Sequence, residues 1–120
     1  MKVLADYAHY SPLGEVTLPE GVALVTKSIR FCRAQKIPRL LVDTTGLIGF
    51  PPPQLHERYW FAKEWAHEAQ GKMVVAMVAR EEMIDPQRFG VLAARNAGLR
   101  SFISASEGEA RAWLLAEEIG

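Results

Sequence analysis

Features that mark secreted and membrane proteins are missing from this sequence. It has a single cysteine, Cys32, so no disulfide can form within the chain, which fits a reducing compartment. The first residues reach the acidic side chain of Asp6 before any long apolar run develops, unlike a signal peptide. No stretch approaches the roughly 18 apolar residues that a membrane span needs. The sequence therefore predicts a protein without a membrane span, located in the cytoplasm.

An excess of charge of one sign is also missing. Lys and Arg together number 14, as do Asp and Glu, so the formal net charge is zero. Binding to nucleic acid depends on a surplus of basic side chains that neutralise phosphates. We therefore expect no nucleic-acid partner.

The sequence lacks the local motifs of the common enzyme classes. No glycine-rich phosphate loop of either standard spacing occurs, and no serine stands in a nucleophile-elbow context. His56 and His67 lie about 16 Å apart along the axis of one predicted helix, at about 1.5 Å per residue. That distance is too large for a shared metal ion within one chain. We therefore predict no enzyme, no metal and no cofactor.

What is present is the length and composition of one globular domain. The chain has 120 residues, of which 49% are hydrophobic and 23% are charged. These values are close to the averages for folded proteins, and a chain of this length buries enough apolar surface to fold without disulfides. We predict a single domain over residues 1–120.

Capping chemistry and apolar periodicity predict the first helix. Thr17 and Glu20 have capping-box spacing, and Pro19 falls in the first turn. An apolar stripe then recurs at helical spacing, formed by Leu18, Val22, Val25, Ile29 and Cys32. Ile37-Pro38 ends this helix.

Helices then alternate with continuous apolar runs, which suit strands that are covered on both faces. In chain order they are a strand at 40–42, a helix at 54–69, a strand at 73–79, a helix opening at Asp85-Pro86 and ending before Gly98, a strand at 99–103, and a helix opening at Ser106 and Glu109. This alternation predicts an α/β fold with a mostly parallel central sheet of four to five strands, flanked by about four helices.

Residues 1–16 are harder to assign. Residues 3–7 and 15–16 are candidate short strands on either side of a turn at 11–14. We expect them to complete one edge of the sheet.

Several segments resemble the SpoIIAA-like group of the STAS superfamily, a fold with kinship to Sec14-type lipid-binding domains. Residues 40–47, with an aspartate and a glycine after an apolar strand, resemble its strand-and-turn signature. Residues 84–89 with 94–99 resemble its third helical segment. Residues 102–103 with 109–114 resemble its closing strand and helix. The likeness runs from the first helix onward.

The resemblance implies a non-enzymatic module whose best-understood members bind a kinase-type protein and are switched off by phosphorylation of a serine. That serine lies at the start of the helix after the Asp–Gly turn. Here the matching stretch is Phe50-Pro51-Pro52-Pro53, and the register places a proline at the acceptor position. Proline has no hydroxyl group, so we expect the phosphoserine switch to be absent.

The predicted helix at 54–69 carries the most unusual surface. Its apolar face consists of Leu55, Tyr59, Ala62, Ala66 and Ala69, with Trp65 near the edge. Trp60 falls on the opposite face, together with His56, Lys63 and His67. Large aromatic side chains are over-represented at interface hot spots, so this face is a candidate docking or dimer surface. The alternative is that Trp60 packs under the proline-rich loop.

The turn after the first buried strand is a second candidate site. Asp43, Thr44 and Thr45 lie at the carboxyl end of that strand, where open parallel sheets bind ligands. These side chains could bind a ligand, or they could satisfy the amides of the turn itself. The pattern favours the second interpretation.

Three hypotheses of function follow. The first, which the sequence favours, is a non-catalytic regulatory module that binds a protein partner or a second copy of itself, using Phe50 and the face around Trp60. The second is a module that binds a small apolar ligand or lipid, as the Sec14 kinship implies. The third is an enzyme, which would need a cleft that holds Asp43 beside a histidine.

Overall fold

The computed structural model describes residues 1–119. The helices are α1 (Leu18–Ala34), α2 (Leu55–Ala69), α3 (Phe89–Asn96) and α4 (Glu107–Ala116). The strands are β1 (Lys2–Val3), β2 (Ala8–Tyr10), β3 (Gly14–Glu15), β4 (Arg39–Asp43), β5 (Leu47–Ile48), β6 (Val74–Val78) and β7 (Arg100–Ser104). A short 3-10 turn at Glu81–Met83 precedes α3.

Five strands form the central sheet in the order β1-β2-β4-β6-β7. Strands β2, β4, β6 and β7 are mutually parallel, and β1 pairs antiparallel with β2. The prediction of an α/β fold with a mostly parallel sheet of four to five strands and about four helices is therefore confirmed, with five strands in the sheet and four helices in the described residues.

The strand order places three helices on one face of the sheet. Each connection from β2 to β4, β6 and β7 moves to the next strand in the same direction across the sheet. Because such crossovers are right-handed, α1, α2 and α3 all fall on the same face. One core cluster accordingly joins side chains of these three helices, whereas α4 packs against the opposite face. We call these the three-helix face and the α4 face.

The continuous apolar runs are explained by this two-sided cover. On β4, Leu40 and Val42 face the three-helix side, whereas Leu41 faces α4. On β6, Val75 faces the three-helix side and Val74 faces α4. All five side chains are buried, since neither face of these central strands meets water.

Helix α1 begins as its sequence predicts. The backbone N–H of Glu20 donates to Thr17 Oγ1 at 3.2 Å, and the backbone N–H of Thr17 donates to Glu20 Oε1 at 2.8 Å. This reciprocal pair satisfies two donors that the first helical turn leaves free.

Helix α3 starts later than predicted. Asp85 does act as a cap, since its carboxylate accepts from the backbone N–H groups of Gln87 and Phe89 at 3.1 and 3.0 Å. However, Arg88 adopts a left-handed conformation with φ of 53°, which interrupts the helical path. The result is an isolated turn over residues 85–88, and the helix begins at Phe89 instead of Pro86.

The amino-terminal strands also differ from the prediction. Residues 4–7 form a turn closed by a hydrogen bond from the N–H of Leu4 to the carbonyl of Tyr7, and the paired strand is Ala8–Tyr10. Strands β1 and β2 complete an edge of the sheet, as expected. Strand β3 instead pairs with β5 in a separate two-stranded sheet.

The apolar face of α2 is only partly buried, which corrects the predicted core stripe. Ala62, Ala66 and Ala69 are buried, but Leu55 and Tyr59 are 49% and 40% exposed. The exposed residues lie in the first two turns and the buried ones in the later turns. The predicted core stripe is therefore buried only over the carboxyl-terminal part of α2.

No helix within residues 1–119 is both long enough and apolar enough to cross a lipid bilayer.

The cap of α1 gives a first testable prediction. Replacing Thr17 by Ala removes the hydroxyl acceptor, and we expect the free energy of unfolding to fall by about 1 kcal/mol. Urea denaturation measures this change. Thr17→Ser is the matched control, because it keeps the hydroxyl and should stay within a few tenths of a kcal/mol of the unchanged protein. Equal stability of Thr17→Ala and Thr17→Ser would contradict the capping account.

Candidate functional site

A cavity of about 140 Å³ lies between the three-helix face of the sheet and the helices that cover it. Helix α1 contributes Val22 and Val25, α2 contributes Phe61 and Ala62, β6 contributes Met77, and α3 contributes Val91. The surface of the cavity is mostly apolar, because each covering helix turns its apolar stripe toward the sheet. The lining of the cavity is therefore chemically suited to an apolar group.

One part of the cavity lining is strongly basic. Arg58, Arg80 and Arg88 line it together with a single carboxylate, that of Asp85. Arg58 donates to the carbonyl groups of Pro53 and Met83 at 3.0 and 3.1 Å, which fixes its guanidinium in place. Arg80 donates to the carbonyl of Leu47 at 3.3 Å. The Arg88 side chain forms no hydrogen bond or salt bridge with any described residue, so its donors are available to a ligand.

Asp85 does not neutralise this arginine group. Its carboxylate accepts two backbone N–H groups, from Phe89 and Gln87. The hydrogen bond from Phe89, with smaller contributions from Gln87 and the charge of Arg58, lowers the pKa of Asp85. Arg80 Nε also lies 3.6 Å from Glu82 Oε1. Three guanidinium groups are thus accompanied by two carboxylates, which leaves an excess of one positive charge at the lining.

Helices α1 and α2 frame the cavity and are joined by one acidic side chain. Glu68 Oε1 accepts from Arg30 Nε at 2.8 Å and from Arg33 Nη2 at 2.9 Å. Arg33 Nε also donates to the backbone carbonyl of Glu68 at 2.6 Å. Nearer the cavity, Trp65 Nε1 donates to the carbonyl of Val22 at 3.4 Å. These contacts fix the separation of the two helices and therefore the width of the cavity.

The structure distributes the predicted turn residues over two faces. Asp43 Oδ1 accepts from the backbone N–H and from the hydroxyl of Thr45, at 2.9 and 2.6 Å. Thr44 Oγ1 donates to the carbonyl of Val78 at 2.9 Å, which ties the ends of β4 and β6 together. Asp43 and Thr45 therefore hydrogen-bond within the turn, whereas the Thr44 hydroxyl bonds to β6 and satisfies no turn amide. Thr44 and Phe50 also line the cavity.

The polar face of α2 points away from the cavity. His56, Lys63 and His67 are exposed, and Trp60 is 44% exposed. Here α2 presents one surface to the cavity, through Phe61, and a separate one to solvent. The structure does not bring the Trp60 group together with Asp43.

A histidine does lie beside Asp43. One ligand atom from each of His9, Asp43 and Glu107 lies within 4.8 Å of the other two. His9 Nε2 is 3.6 Å from Glu107 Oε1 and 3.2 Å from Ser11 Oγ. In a hydrolytic triad the acid and the nucleophile contact different ring nitrogens of the histidine. Here Ser11 and Glu107 contact the same nitrogen, so Glu107 is not placed as the acid of such a triad.

The thiol of Cys32 takes no part in any of these sites. Its side chain is fully buried on α1, and desolvation raises its pKa to about 11. A thiol in this environment is protonated at neutral pH and is a poor nucleophile.

The sequence analysis missed the arginine group and His9. Arg80 and Arg88 fall directly after a buried strand and directly before a helix, where parallel sheets place ligands, and that position was an available signal. His9 was overlooked because the strand was assigned to residues 3–7. With a strand at 8–10, His9 and Asp43 would have been placed at the same edge of the sheet.

Comparisons with known proteins add no functional assignment. No protein-family model matches the chain, and no curated protein or solved structure is similar enough to count as a match. The likeness to SpoIIAA-like domains therefore stays a prediction.

The Glu68 contacts predict a pH dependence of stability. Hydrogen bonds from Arg30 and then Arg33 lower the pKa of Glu68 in the folded state. A carboxyl with a depressed folded pKa stabilises the fold above its unfolded pKa, and this contribution is lost as the pH falls through the folded value. Glu68→Gln should therefore reduce the free energy of unfolding at pH 7, by about 1 kcal/mol for partly exposed pairs.

Urea denaturation across pH 7 to pH 3 measures this effect. The difference in the free energy of unfolding between Glu68→Gln and the unchanged protein should shrink as the pH falls below the usual pKa range of a glutamate. Glu15→Gln, at an exposed position in β3, is the control and should show no such trend. If the difference in the free energy of unfolding stayed constant from pH 7 to pH 3, the ionised carboxylate of Glu68 would not contribute to stability.

Proposed function

We propose that this chain is a non-catalytic module that binds a small organic anion with an apolar body in the cavity on the three-helix face. The observation that carries the proposal is an apolar cavity with arginines in its lining. An apolar pocket with a few convergent polar groups is the usual form of a small-molecule site.

The size of the cavity limits the ligand. At about 140 Å³ it is close to the roughly 150 Å³ of an engineered apolar cavity that binds benzene. Sites for drug-sized ligands are larger, about 300–1,000 Å³. The ligand is therefore of the size of one aromatic ring or a short aliphatic chain, and a lipid with two acyl chains is too large.

The arginine group selects the charge of the ligand. A carboxylate or phosphate can accept from the free donors of Arg88, while Arg58 adds positive potential and Arg80 is partly offset by Glu82. A cationic ligand would meet the same charges and be repelled. Burial of the apolar body then contributes most of the binding free energy, and the anionic group orients the ligand in the cavity.

This function is compatible with the SpoIIAA-like hypothesis. A regulatory domain without the phosphoserine switch needs another input, and a ligand under α2 is a candidate. Phe50 and Pro53 line the cavity in the stretch where the switch serine would be expected. Ligand binding would therefore act on the same segment of the chain that phosphorylation acts on in the family that this sequence resembles.

A second candidate function is protein binding through the outer face of α2. Trp60 is 44% exposed, and His56, Lys63 and His67 on the same face are exposed as well. An exposed indole among polar side chains is typical of an interface anchor. Self-association through this face is the simplest form of the hypothesis.

Calorimetric titration with three matched probes tests the ligand proposal. Phenylacetate, 2-phenylethanol and 2-phenylethylamine share an aromatic ring and differ in charge. We expect phenylacetate to bind most tightly and the amine most weakly. Arg88→Asn should lower the affinity for phenylacetate by about tenfold, which is the usual effect of losing one charge-assisted hydrogen bond. The affinity for 2-phenylethanol should change little. Arg95→Asn, on an exposed position of α3, is the matched control.

A cavity-filling variant tests the location of the site. Ala62 is buried and lines the cavity, so Ala62→Met should occupy the space and abolish binding of all three probes. Thermal unfolding checks that this variant is folded. Failure of the unchanged protein to bind any probe, or undiminished binding to folded Ala62→Met, would contradict the proposal.

Sedimentation velocity over a range of concentrations tests the second candidate. We expect a dimer that dissociates in Trp60→Ala, because the anchoring indole is lost. Leu115→Ala removes an exposed apolar side chain from α4 and should leave the dimer unchanged. A monomer at every concentration of the unchanged protein would exclude self-association through this face.

A further inference from the structure

We propose that His9, Asp43 and Glu107 form a binding site for a divalent transition-metal ion, with Zn²⁺ as the best match. The site lies on the α4 face of the sheet, at the carboxyl ends of the parallel strands. It is separate from the cavity, and neither proposal depends on the other.

Three different elements bring the ligand groups together. His9 lies in β2, Asp43 is the last residue of β4, and Glu107 is the first residue of α4. His9 pairs with Leu41, so Asp43 is two residues further along the neighbouring strand on the same face. Helix α4 crosses that face, and its first turn supplies Glu107. The arrangement thus follows from the sheet register and from the single helix on this side.

The separations suit one ion. Bonds of about 2.0–2.2 Å to a tetrahedral metal ion place neighbouring ligand atoms about 3.4 Å apart. His9 Nε2 and Glu107 Oε1 are already 3.6 Å apart, and the three ligand atoms lie within 4.8 Å of one another. The side chain of Glu107 is 42% exposed, so it can rotate slightly and bring its oxygen to bonding distance from the ion.

The carboxylates of Glu107 and Asp43 are each fixed through only one of their two oxygen atoms. Glu107 Oε2 accepts from Arg111 Nη2 at 2.6 Å, and Arg111 Nε donates to the hydroxyl of Tyr7 at 2.8 Å. Asp43 Oδ1 accepts two hydrogen bonds from Thr45, whereas Oδ2 accepts none from any described residue. Anchoring one oxygen while the other stays free is the outer-shell arrangement that orients carboxylate ligands of metals.

The donor set points to the class of metal. One imidazole and two carboxylates match Zn²⁺ and its transition-metal neighbours, whereas Mg²⁺ and Ca²⁺ prefer oxygen ligands alone. Asp43 forms no salt bridge with any described residue, so the dication would supply the positive charge that this carboxylate lacks. Three protein ligands leave a fourth position for water.

Calorimetric titration of the metal-free full chain with Zn²⁺ tests the proposal. We expect one ion per chain, with affinity reduced at least tenfold in His9→Gln and in Asp43→Asn, whose side chains are ligands. His56→Asn combined with His67→Asn is the matched control, because both histidines are exposed on α2, and it should bind as the unchanged protein does. Circular dichroism checks that each variant is folded.

Three outcomes would overturn the inference. The first is no binding by the unchanged protein. The second is binding that His9→Gln retains and the α2 double variant loses, which would assign the ion to surface histidines. The third is Mg²⁺ binding as tightly as Zn²⁺, which would mean that the carboxylates act alone and that His9 is not a ligand.

Discussion

The handedness of the crossovers is the constraint on which the rest of the structure depends. Four parallel strands are added in one direction across the sheet, so right-handed connections put three successive helices on one face. Helix α4 is left to cover the other face. The crowded face encloses a cavity, because three helices and a twisted sheet do not fill all the space between them. The sparsely covered face leaves the strand ends open, and there His9, Asp43 and Glu107 meet.

Helix α2 connects the two functional hypotheses. Its inner side contributes Phe61 and Ala62 to the cavity, and its outer side presents Trp60 to solvent. A ligand that fills the cavity contacts the same rigid element that a protein partner would contact from outside. The Glu68 contacts hold α2 against α1. A regulatory module that reports a small anion to a protein partner would need this combination.

The parts of the fold that are set locally could be predicted from the sequence. The Thr17 cap and the apolar run of β4 depend on neighbours in the chain or on plain burial, and both were correctly placed. The start of α3 was not, because the left-handed conformation of Arg88 comes from the turn that Asp85 organises. The sequence analysis mostly missed the candidate sites, because their residues come from separate segments of the chain. Arg58 and Arg80, for example, line the same cavity only in the folded protein. His9 required the correct strand at 8–10.

The cavity as a binding site is the central claim, and methyl NMR of methionine-labelled protein tests it most directly. Met77 and Met83 line the cavity, whereas Met1 and Met73 do not. On titration with phenylacetate, ring currents should shift the methyl signals of Met77 and Met83 and leave those of Met1 and Met73 in place. Unchanged Met77 and Met83 signals at saturating phenylacetate, or equal shifts of all four methyl groups, would contradict the account.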